Sequence, residues 1–144
     1  MVLQFIGDEI YAVFGAPLSL SDHAIRAYRA GLEMNRRLEK LNNDLGEKAW
    51  PILQHGIGIH TGEALAANIG SPDRLSYLLV GDTVNLASRL EGHTKTVQAP
   101  ILMNETTYKL AQEQLPHLPV KHLPDLQLKG KLNQVEVYAI LPTT

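Results

Sequence analysis

The segment Val80-Gly-Asp-Thr-Val-Asn-Leu-Ala-Ser-Arg-Leu90 combines a turn, a helix start and a polar pair, and it decides how the whole chain is interpreted. Its Gly-Asp-Thr start predicts a short helix that runs to the final leucine and is closed by Gly92. On such a helix Asn85 and Arg89 are four residues apart and share a face. An amide and a guanidinium side by side can hold a ribose oxygen and a phosphate, because arginine presents its donors in a fixed fork. An ordinary solvated helix face would carry the same two residue types.

Upstream of this segment, the sequence predicts an apolar hairpin followed by a long helix. The runs 1–6 and 10–14 are strand-like and are joined by a tight turn that contains Asp8. Ser21 or Asp22 is a suitable N-cap for a helix with apolar residues at spacings of three and four, which should fade between residues 42 and 46. A carboxylate at a rigid hairpin tip suits a hard cation such as Mg²⁺. Gly-Asp is also a common turn dipeptide.

Downstream and between these elements, the pattern alternates strands with helices. Strands are predicted over 52–60, 64–69, 77–80, 100–103, 119–128 and 135–141, and Asn104 should cap a helix of about two turns. Gly56 and Gly58 lie inside the first of these strands, where glycine often marks a close backbone approach or a bulge. Leu128-Lys-Gly-Lys131 is either a phosphate-binding turn or simply a soluble β-turn. The order of elements predicts an α+β or α/β fold with helices packed on a sheet.

Composition limits the class of protein. The 144 residues suit a single domain, and a net charge of −2 gives no sign of a nucleic-acid partner. The absence of cysteine excludes disulfides and thiolate metal sites. The six histidines show no metal-ligand spacing. Because no apolar run reaches the length of a membrane helix, we expect a soluble, cytoplasmic chain without a membrane segment.

The order and spacing of five blocks resemble a known family. These blocks are Phe5–Pro17, Gly56–Gly62, Ala67–Ser71, Val80–Glu91 and Leu128–Lys131. In this order they resemble the class III adenylate/guanylate cyclase catalytic domain of the bacterial type, over essentially the whole chain. The block around Asn85 is highly specific, whereas the Lys-Gly block is weak by itself.

The resemblance implies a ferredoxin-like α+β sandwich that assembles head to tail as a homodimer or with a cyclase-like partner subunit, with active sites in the interface. It implies two ions of Mg²⁺ or Mn²⁺ and a nucleoside triphosphate substrate, by the logic of two-metal phosphoryl transfer. Asp8 matches a metal aspartate and Asn85 matches the residue that orients the ribose. Arg89 matches the arginine that stabilises charge on the transferring phosphate, and Lys129 matches the lysine that contacts the terminal phosphates.

Two departures from the family pattern modify this expectation. Domains of this family begin with a strand that carries the first metal aspartate, before the hairpin, and no such segment precedes it here. We therefore expect residues 1–144 to form a partial, N-terminally truncated catalytic domain with weak or no activity, or one whose gap a partner or swapped segment fills. A missing central strand would expose a long apolar edge.

The second departure concerns the positions that select the base. Adenylate cyclases commonly carry Lys and Asp or Thr there, and guanylate cyclases typically carry Glu and Cys, whereas this chain has Gln4 and Leu78. ATP is favoured as substrate because it is commoner among bacterial relatives, and GTP stays open. The alternative hypothesis is a catalytically silent cyclase homologue that binds nucleotide or dimerises as a regulatory module.

Overall fold

A computed structural model describes residues 1–71, 74–129 and 134–141 of the chain, and these residues form three helices and eight strands. In chain order the elements are β1 (Val2–Ile6), β2 (Glu9–Ala12), α1 (His23–Glu47), β3 (Ile57–Ile59), β4 (Leu65–Ser71), β5 (Arg74–Val80), α2 (Asp82–Val97), β6 (Ile101–Asn104), α3 (Glu105–Gln114), β7 (Val120–Lys129) and β8 (Gln134–Ile140).

The centre of the fold is a four-stranded mixed sheet in the order β3-β6-β8-β7. β3 runs parallel to β6, whereas β8 is antiparallel to both β6 and β7. Successive residues of a strand point to opposite faces of a sheet. In β6, Ile101 and Met103 therefore pack with α1 and α3, while Leu102 packs with α2. Helices cover both faces of the sheet, and the predicted α+β architecture is confirmed.

The helix α1 begins where the sequence predicts and ends slightly later. Asp22 is its N-cap residue, but the carboxylate accepts a hydrogen bond from Arg26 Nε at 2.8 Å instead of capping the backbone. Its buried residues, Ile25 and Tyr28 among them, face the sheet. Asn42, expected near the helix end, lies inside the helix and makes two 2.7 Å hydrogen bonds with the backbone of Leu53. The chain that follows α1 is thereby held against it.

The predicted strand over 52–60 is wrong in its first half. Only Ile57–Ile59 form β3. The neighbouring strand in the sheet is β6, and it pairs with only these three residues. Ile52 and Leu53 are exposed and belong to no helix or strand. Apolar, β-rich sequence becomes a strand only where a second strand supplies hydrogen-bond partners for its backbone.

The helix α2 is longer than predicted. It continues through Gly92 to Val97 and ends at Gln98, which adopts a left-handed conformation with φ +54°. Gly92 lies within the helix, five residues before its last residue, and therefore does not end it. Likewise, Asn104 caps α3 as predicted, but the helix spans ten residues, nearly three turns instead of about two.

Two antiparallel ribbons stand outside the central sheet. β1 and β2 form the predicted hairpin, and its two-residue turn is Gly7-Asp8, with Gly7 at φ +60°. β4 and β5 form the second ribbon, in which Leu78 lies opposite Ala67. Over the residues described, no helix combines the length and apolarity needed to cross a membrane.

Candidate functional site

The polar pair on α2 lies on the exposed side of a helix whose other side is in the core. Asn85 and Arg89 are both exposed, and their spacing of four residues puts them one turn apart on one face. Leu86 and Leu90 are 5% and 0% exposed and pack against the sheet. Val84 and Ala87 are half-buried, so Leu86 and Leu90 form most of the side of α2 that faces the core. The polar face is oriented as predicted.

Two glycines, one in β3 and one directly before it, let α2 lie directly on the backbone. A Cβ atom at Gly58 would collide with the Ala87 carbonyl oxygen and with the Glu91 nitrogen, which would be 2.5 Å away. A Cβ atom at Gly56 would collide with the hydroxyl of Thr94, a buried residue that donates to the Glu91 carbonyl at 2.6 Å. Of the two interpretations of these glycines, the close backbone approach is confirmed. We call this contact the glycine clamp (Gly56 and Gly58 against α2), and it fixes the distance between the helix and the sheet.

Asp8 occupies a very different environment. It is exposed at the tip of the β1–β2 hairpin, and Gln4, opposite Tyr11 in the ladder, is also exposed. Neighbouring apolar side chains are exposed as well, with Phe5 at 71% and Ile6 at 51%. Over the part of the chain that the structure describes, the two strands pair with each other and not with the central sheet. The hairpin therefore presents a carboxylate within an uncovered apolar surface.

The remaining predicted site residues are described by their backbone positions. Leu78 lies in β5, seven residues before Asn85, and Lys129 ends β7 opposite Gln134. Residues 130 and 131 of the Lys-Gly-Lys turn lie outside the described residues. Among the described elements, the hairpin and α2 make no extensive contact. The fold brings Asn85 and Arg89 together on one helix face and leaves Asp8 on a separate unit.

Sequence reasoning missed a buried polar cluster beside the start of α2. Asn104 was predicted as a helix cap, and its side chain does accept from Thr107 N at 3.3 Å. Its carboxamide also bonds the backbone of Thr61, which is 43 residues away in the chain. Beside it, the Thr83 hydroxyl donates to the Glu63 carbonyl at 2.9 Å. A cap has a local sequence signal, whereas a contact across 43 residues has none.

Two histidines are set apart by burial. Both ring nitrogens of His60 are shielded from solvent and have no partner among the described residues, and burial lowers the pKa of this imidazole. Burial also lowers the pKa of His55, whose Nε2 lies 3.2 Å from Asn35 Oδ1. Within the ranges that the structure describes, no three His, Asp or Glu side chains are grouped so that they could hold a metal ion. Any cation held through Asp8 would therefore need further ligands.

Comparison with known proteins gives consistent matches. Residues 2–142 match the family model of the adenylate and guanylate cyclase catalytic domain. The chain is 32% identical over 140 residues to adenylate cyclase 1 of Rhizobium meliloti (strain 1021), which covers 97% of this chain and 21% of that protein. It is 32% identical over 131 residues to the human guanylate cyclase soluble subunit beta-2, covering 90% of this chain and 20% of that protein. The chain thus spans about a fifth of the length of these two relatives.

Solved structures agree with this fold. The crystal structure of the guanylyl cyclase Cya2 superposes with a TM-score of 0.78 at 34% identity, covering 97% of this chain and 68% of that one. The adenylyl cyclase CyaB from P. aeruginosa gives a TM-score of 0.76 at 25% identity, covering 99% of this chain and 72% of that one. The α+β sandwich expected from the sequence is therefore the fold of these catalytic domains.

Proposed function

Since the chain belongs to the family of adenylate and guanylate cyclase catalytic domains, we propose that it converts a nucleoside triphosphate to a 3′,5′-cyclic nucleotide and pyrophosphate. ATP is the proposed substrate, with GTP as the alternative. The observation that carries the proposal is the exposed Asn85–Arg89 pair on a helix that the glycine clamp holds against the sheet. A rigidly held amide and guanidinium are what a positioned ribose and phosphate require.

The roles of these two residues follow from their chemistry. The Asn85 carboxamide can donate to and accept from ribose oxygens, which would orient the 3′-hydroxyl. The Arg89 guanidinium would hold the α-phosphate and stabilise the negative charge that develops there during transfer. Because both lie on one face of a clamped helix, the spacing of their Cα atoms is set before substrate binds.

Lys129, Gln4 and Leu78 complete the proposed substrate contacts. A lysine at the end of β7 would pair with the terminal phosphates as a point charge. Gln4 can hydrogen-bond a purine edge, because its amide both donates and accepts, whereas Leu78 can contact the base only through apolar atoms. This combination favours weak discrimination between ATP and GTP.

Asp8 is the proposed metal ligand. Its carboxylate is exposed on a two-residue turn, and carboxylate oxygens are the ligands that Mg²⁺ prefers, so the residue fits a divalent cation. Mg²⁺ or Mn²⁺ bound there would neutralise triphosphate charge and favour ionisation of the 3′-hydroxyl. Because Asp8 has no neighbouring pair of ligands in the described part of the chain, substrate phosphates and a second carboxylate, from another segment or subunit, would complete a two-ion site.

The proposed reaction is an in-line displacement at the α-phosphorus. The ribose 3′-oxygen forms a bond to the α-phosphorus as the bond from that phosphorus to the bridging oxygen of the β-phosphate breaks. Pyrophosphate leaves with the electron pair of that bond, and the 3′-hydroxyl proton is released. Arg89 would stabilise the negative charge that is shared between the entering and leaving oxygens.

The arrangement of the molecule supports a site shared between subunits. Asp8 and the Asn85–Arg89 pair lie on units that make no extensive contact among the residues described. Exposed apolar side chains surround Asp8, and Leu65 and Val80 on the second ribbon are 69% and 51% exposed. Patches of this kind mark protein interaction sites. We propose a homodimer, or a pair with a cyclase-like subunit, in which Asp8 of one protomer serves Asn85 and Arg89 of the other.

We further propose that residues 1–144 are part of a cytoplasmic catalytic domain that an additional strand completes. Among the described strands, β3 is paired with β6 along one side and ends the sheet, while the hairpin pairs with itself. An isolated two-stranded hairpin is marginally stable in water. A strand inserted beside β3 could join the two units, and turnover without it would be weak.

Product formation tests the proposal directly. Cyclic nucleotide is measured from ATP and GTP with Mg²⁺ or Mn²⁺, together with nucleotide binding by calorimetry. We expect slow turnover that falls by roughly 10²-fold in Arg89→Ala, because one charge-stabilising donor contributes about that much. Arg29→Ala, which removes an exposed arginine of α1, is the matched control and should retain activity. Binding without product would favour the silent regulatory module, and neither binding nor product would contradict the proposed function.

Mixing two inactive variants tests the shared site. Asp8→Asn and Arg89→Ala each damage a different half of the shared site. In an equal mixture half of the dimers contain one copy of each variant, and each of these has one intact site of two. The mixture should therefore recover about a quarter of wild-type activity. No recovery from a mixture that is dimeric by light scattering would contradict a site built from both protomers.

A further inference from the structure

The segment that connects β3 to β4 is held by a side chain instead of by a strand. Residues 60–64 belong to no helix or strand. The Asn104 carboxamide accepts from Thr61 N at 3.0 Å and donates to the Thr61 carbonyl at 3.0 Å. Asn104 is only 4% exposed. Its side chain thus binds Thr61 through the same donor and acceptor groups that a neighbouring strand would engage.

The orientation of the Asn104 side chain is fixed by Thr107. The Thr107 hydroxyl donates to Asn104 Oδ1 at 2.6 Å, and Thr107 is fully buried. The hydroxyls of Thr61 and Thr107 are 2.7 Å apart, so the Thr61 hydroxyl must be the donor between them. The end of β6, the start of α3 and Thr61 are therefore joined by one buried hydrogen-bonded cluster.

The other end of the same segment is bonded to the first turn of α2. The Thr83 hydroxyl donates to the Glu63 carbonyl at 2.9 Å, and a Cβ atom at Gly62 would collide with that hydroxyl. Gly81, the N-cap of α2, has no side chain to cap the helix. Because helix ends fray when they are not capped, the bond from Thr83 to Glu63 restrains a helix start that lacks a side-chain cap.

We propose that Thr83 is a positioning residue for the site on α2. It lies two residues before Asn85 and six before Arg89. Its hydrogen bond links the first turn of α2 to Glu63, and Asn104 anchors the same segment at Thr61. The glycine clamp sets the height of α2 above the sheet, and Thr83 sets the direction in which the first turn presents Asn85. This inference rests on the proposed function, since the positioned groups are those proposed to bind ribose and phosphate.

The test compares Thr83→Val, which removes the hydroxyl at nearly constant volume, with Thr83→Ser, which keeps it. Thr96→Val, at an exposed position late in α2, is the matched control. Hydrogen exchange of the amides at 85–87 should be several-fold faster in the valine variant and unchanged in the other two. For product formation we expect kcat to fall about tenfold in Thr83→Val with KM within about twofold, because a small misplacement costs the chemical step more than binding. Thr83→Ser should restore kcat.

The outcomes separate this inference from the proposed function. If wild-type protein forms product and Thr83→Val matches it in kcat, Thr83 is not a positioning residue. If exchange at 85–87 is unchanged in Thr83→Val, the restraint itself is refuted, with or without activity. If wild-type protein neither binds nucleotide nor forms product, the proposed function fails and the catalytic part of the inference fails with it. If Thr83→Val does not fold, the decision rests on Thr83→Ser. A folded serine variant that has lost kcat would show that the hydroxyl is not what positions the site.

Discussion

The α2 region and the β1–β2 hairpin carry the two halves of the proposed site, and they are built in opposite ways. α2 lies on the sheet through the glycine clamp, with Leu90 fully buried beneath it. The hairpin turns on Gly7-Asp8 and pairs with itself, and Phe5 is 71% exposed. The helix that carries the groups proposed to hold ribose and phosphate is thus packed within one protomer, whereas the proposed metal carboxylate lies on a unit that contributes little to the core.

The two regions therefore differ in what holds them in place. Positions packed in a core resist displacement, since protein interiors are as dense as organic crystals. A ribbon with an exposed apolar face can instead dock on another surface and bury that face there. The packing of Leu86 and Leu90 holds the helix that carries Asn85 and Arg89, whereas the placement of Asp8 would depend on association.

The largest expected contrast comes from equivalent truncations in the two regions. Leu90→Ala should lower the free energy of unfolding by about 3 kcal/mol, because it leaves a cavity under α2. Phe5→Ala should change it by less than about 0.5 kcal/mol, because the ring is largely exposed. Urea denaturation of the isolated chain measures both, and similar losses in the two variants would show that the hairpin belongs to the core.

A smaller contrast concerns two glycines that contact or lie within α2. Gly58→Ala should destabilise the protein by about 1–3 kcal/mol, because its Cβ has no space against the helix backbone. Gly92→Ala should stabilise it by roughly 0.5–1 kcal/mol, because this helical position faces open space. Thermal unfolding followed by circular dichroism measures both, and a neutral Gly58→Ala would contradict the clamp.

The pH dependence of the free energy of unfolding tests whether the His60 ring is buried in the folded protein. Burial lowers its pKa below the usual 6.5, so the unfolded chain binds the proton more readily. The stabilisation from the neutral ring is complete above pH 6.5 and is lost as the pH falls below that value. We therefore expect the free energy of unfolding to fall between pH 7 and 5, and to fall less in His60→Gln.

His117→Gln, which replaces an exposed histidine by the same residue, is the matched control variant for this measurement. His55 also has a pKa lowered by burial, so some pH dependence should persist in His60→Gln. A His60→Gln profile identical to that of the wild type would show that the imidazole is accessible to water in the folded state.

The smallest effect is expected on the exposed side of α1. Hydrogen bonds from Arg36 and, as the second largest cause, from Arg37 lower the pKa of Glu33 to about 2. This contribution to stability is present above the usual carboxyl pKa and disappears as the pH falls toward 2, but exposed ion pairs are weak and screened by salt. Glu33→Gln should therefore leave the unfolding midpoint almost unchanged at physiological ionic strength, and a large shift in urea titrations would contradict this.

Local signals in the sequence predicted much of this fold. The Gly7-Asp8 turn, the Asn104 cap and the shared face of Asn85 and Arg89 each depend on a few adjacent residues, and all three are present. The lengths of elements were less predictable. The predicted strand over 52–60 shrank to three residues because β6 pairs with only three, and Gly92 did not end α2 because the left-handed residue that ends this helix is Gln98.

By itself, the sequence determined the family, the polar face of α2 and the hairpin turn, since these follow from residue type and short-range spacing. Only the tertiary structure decided that Gly56 and Gly58 admit the backbone of α2, that Asn104 binds Thr61, and that Asp8 lies on a unit apart from Asn85. The reason is physical: spacing along the chain fixes local conformation, whereas a contact between distant residues depends on how whole elements pack.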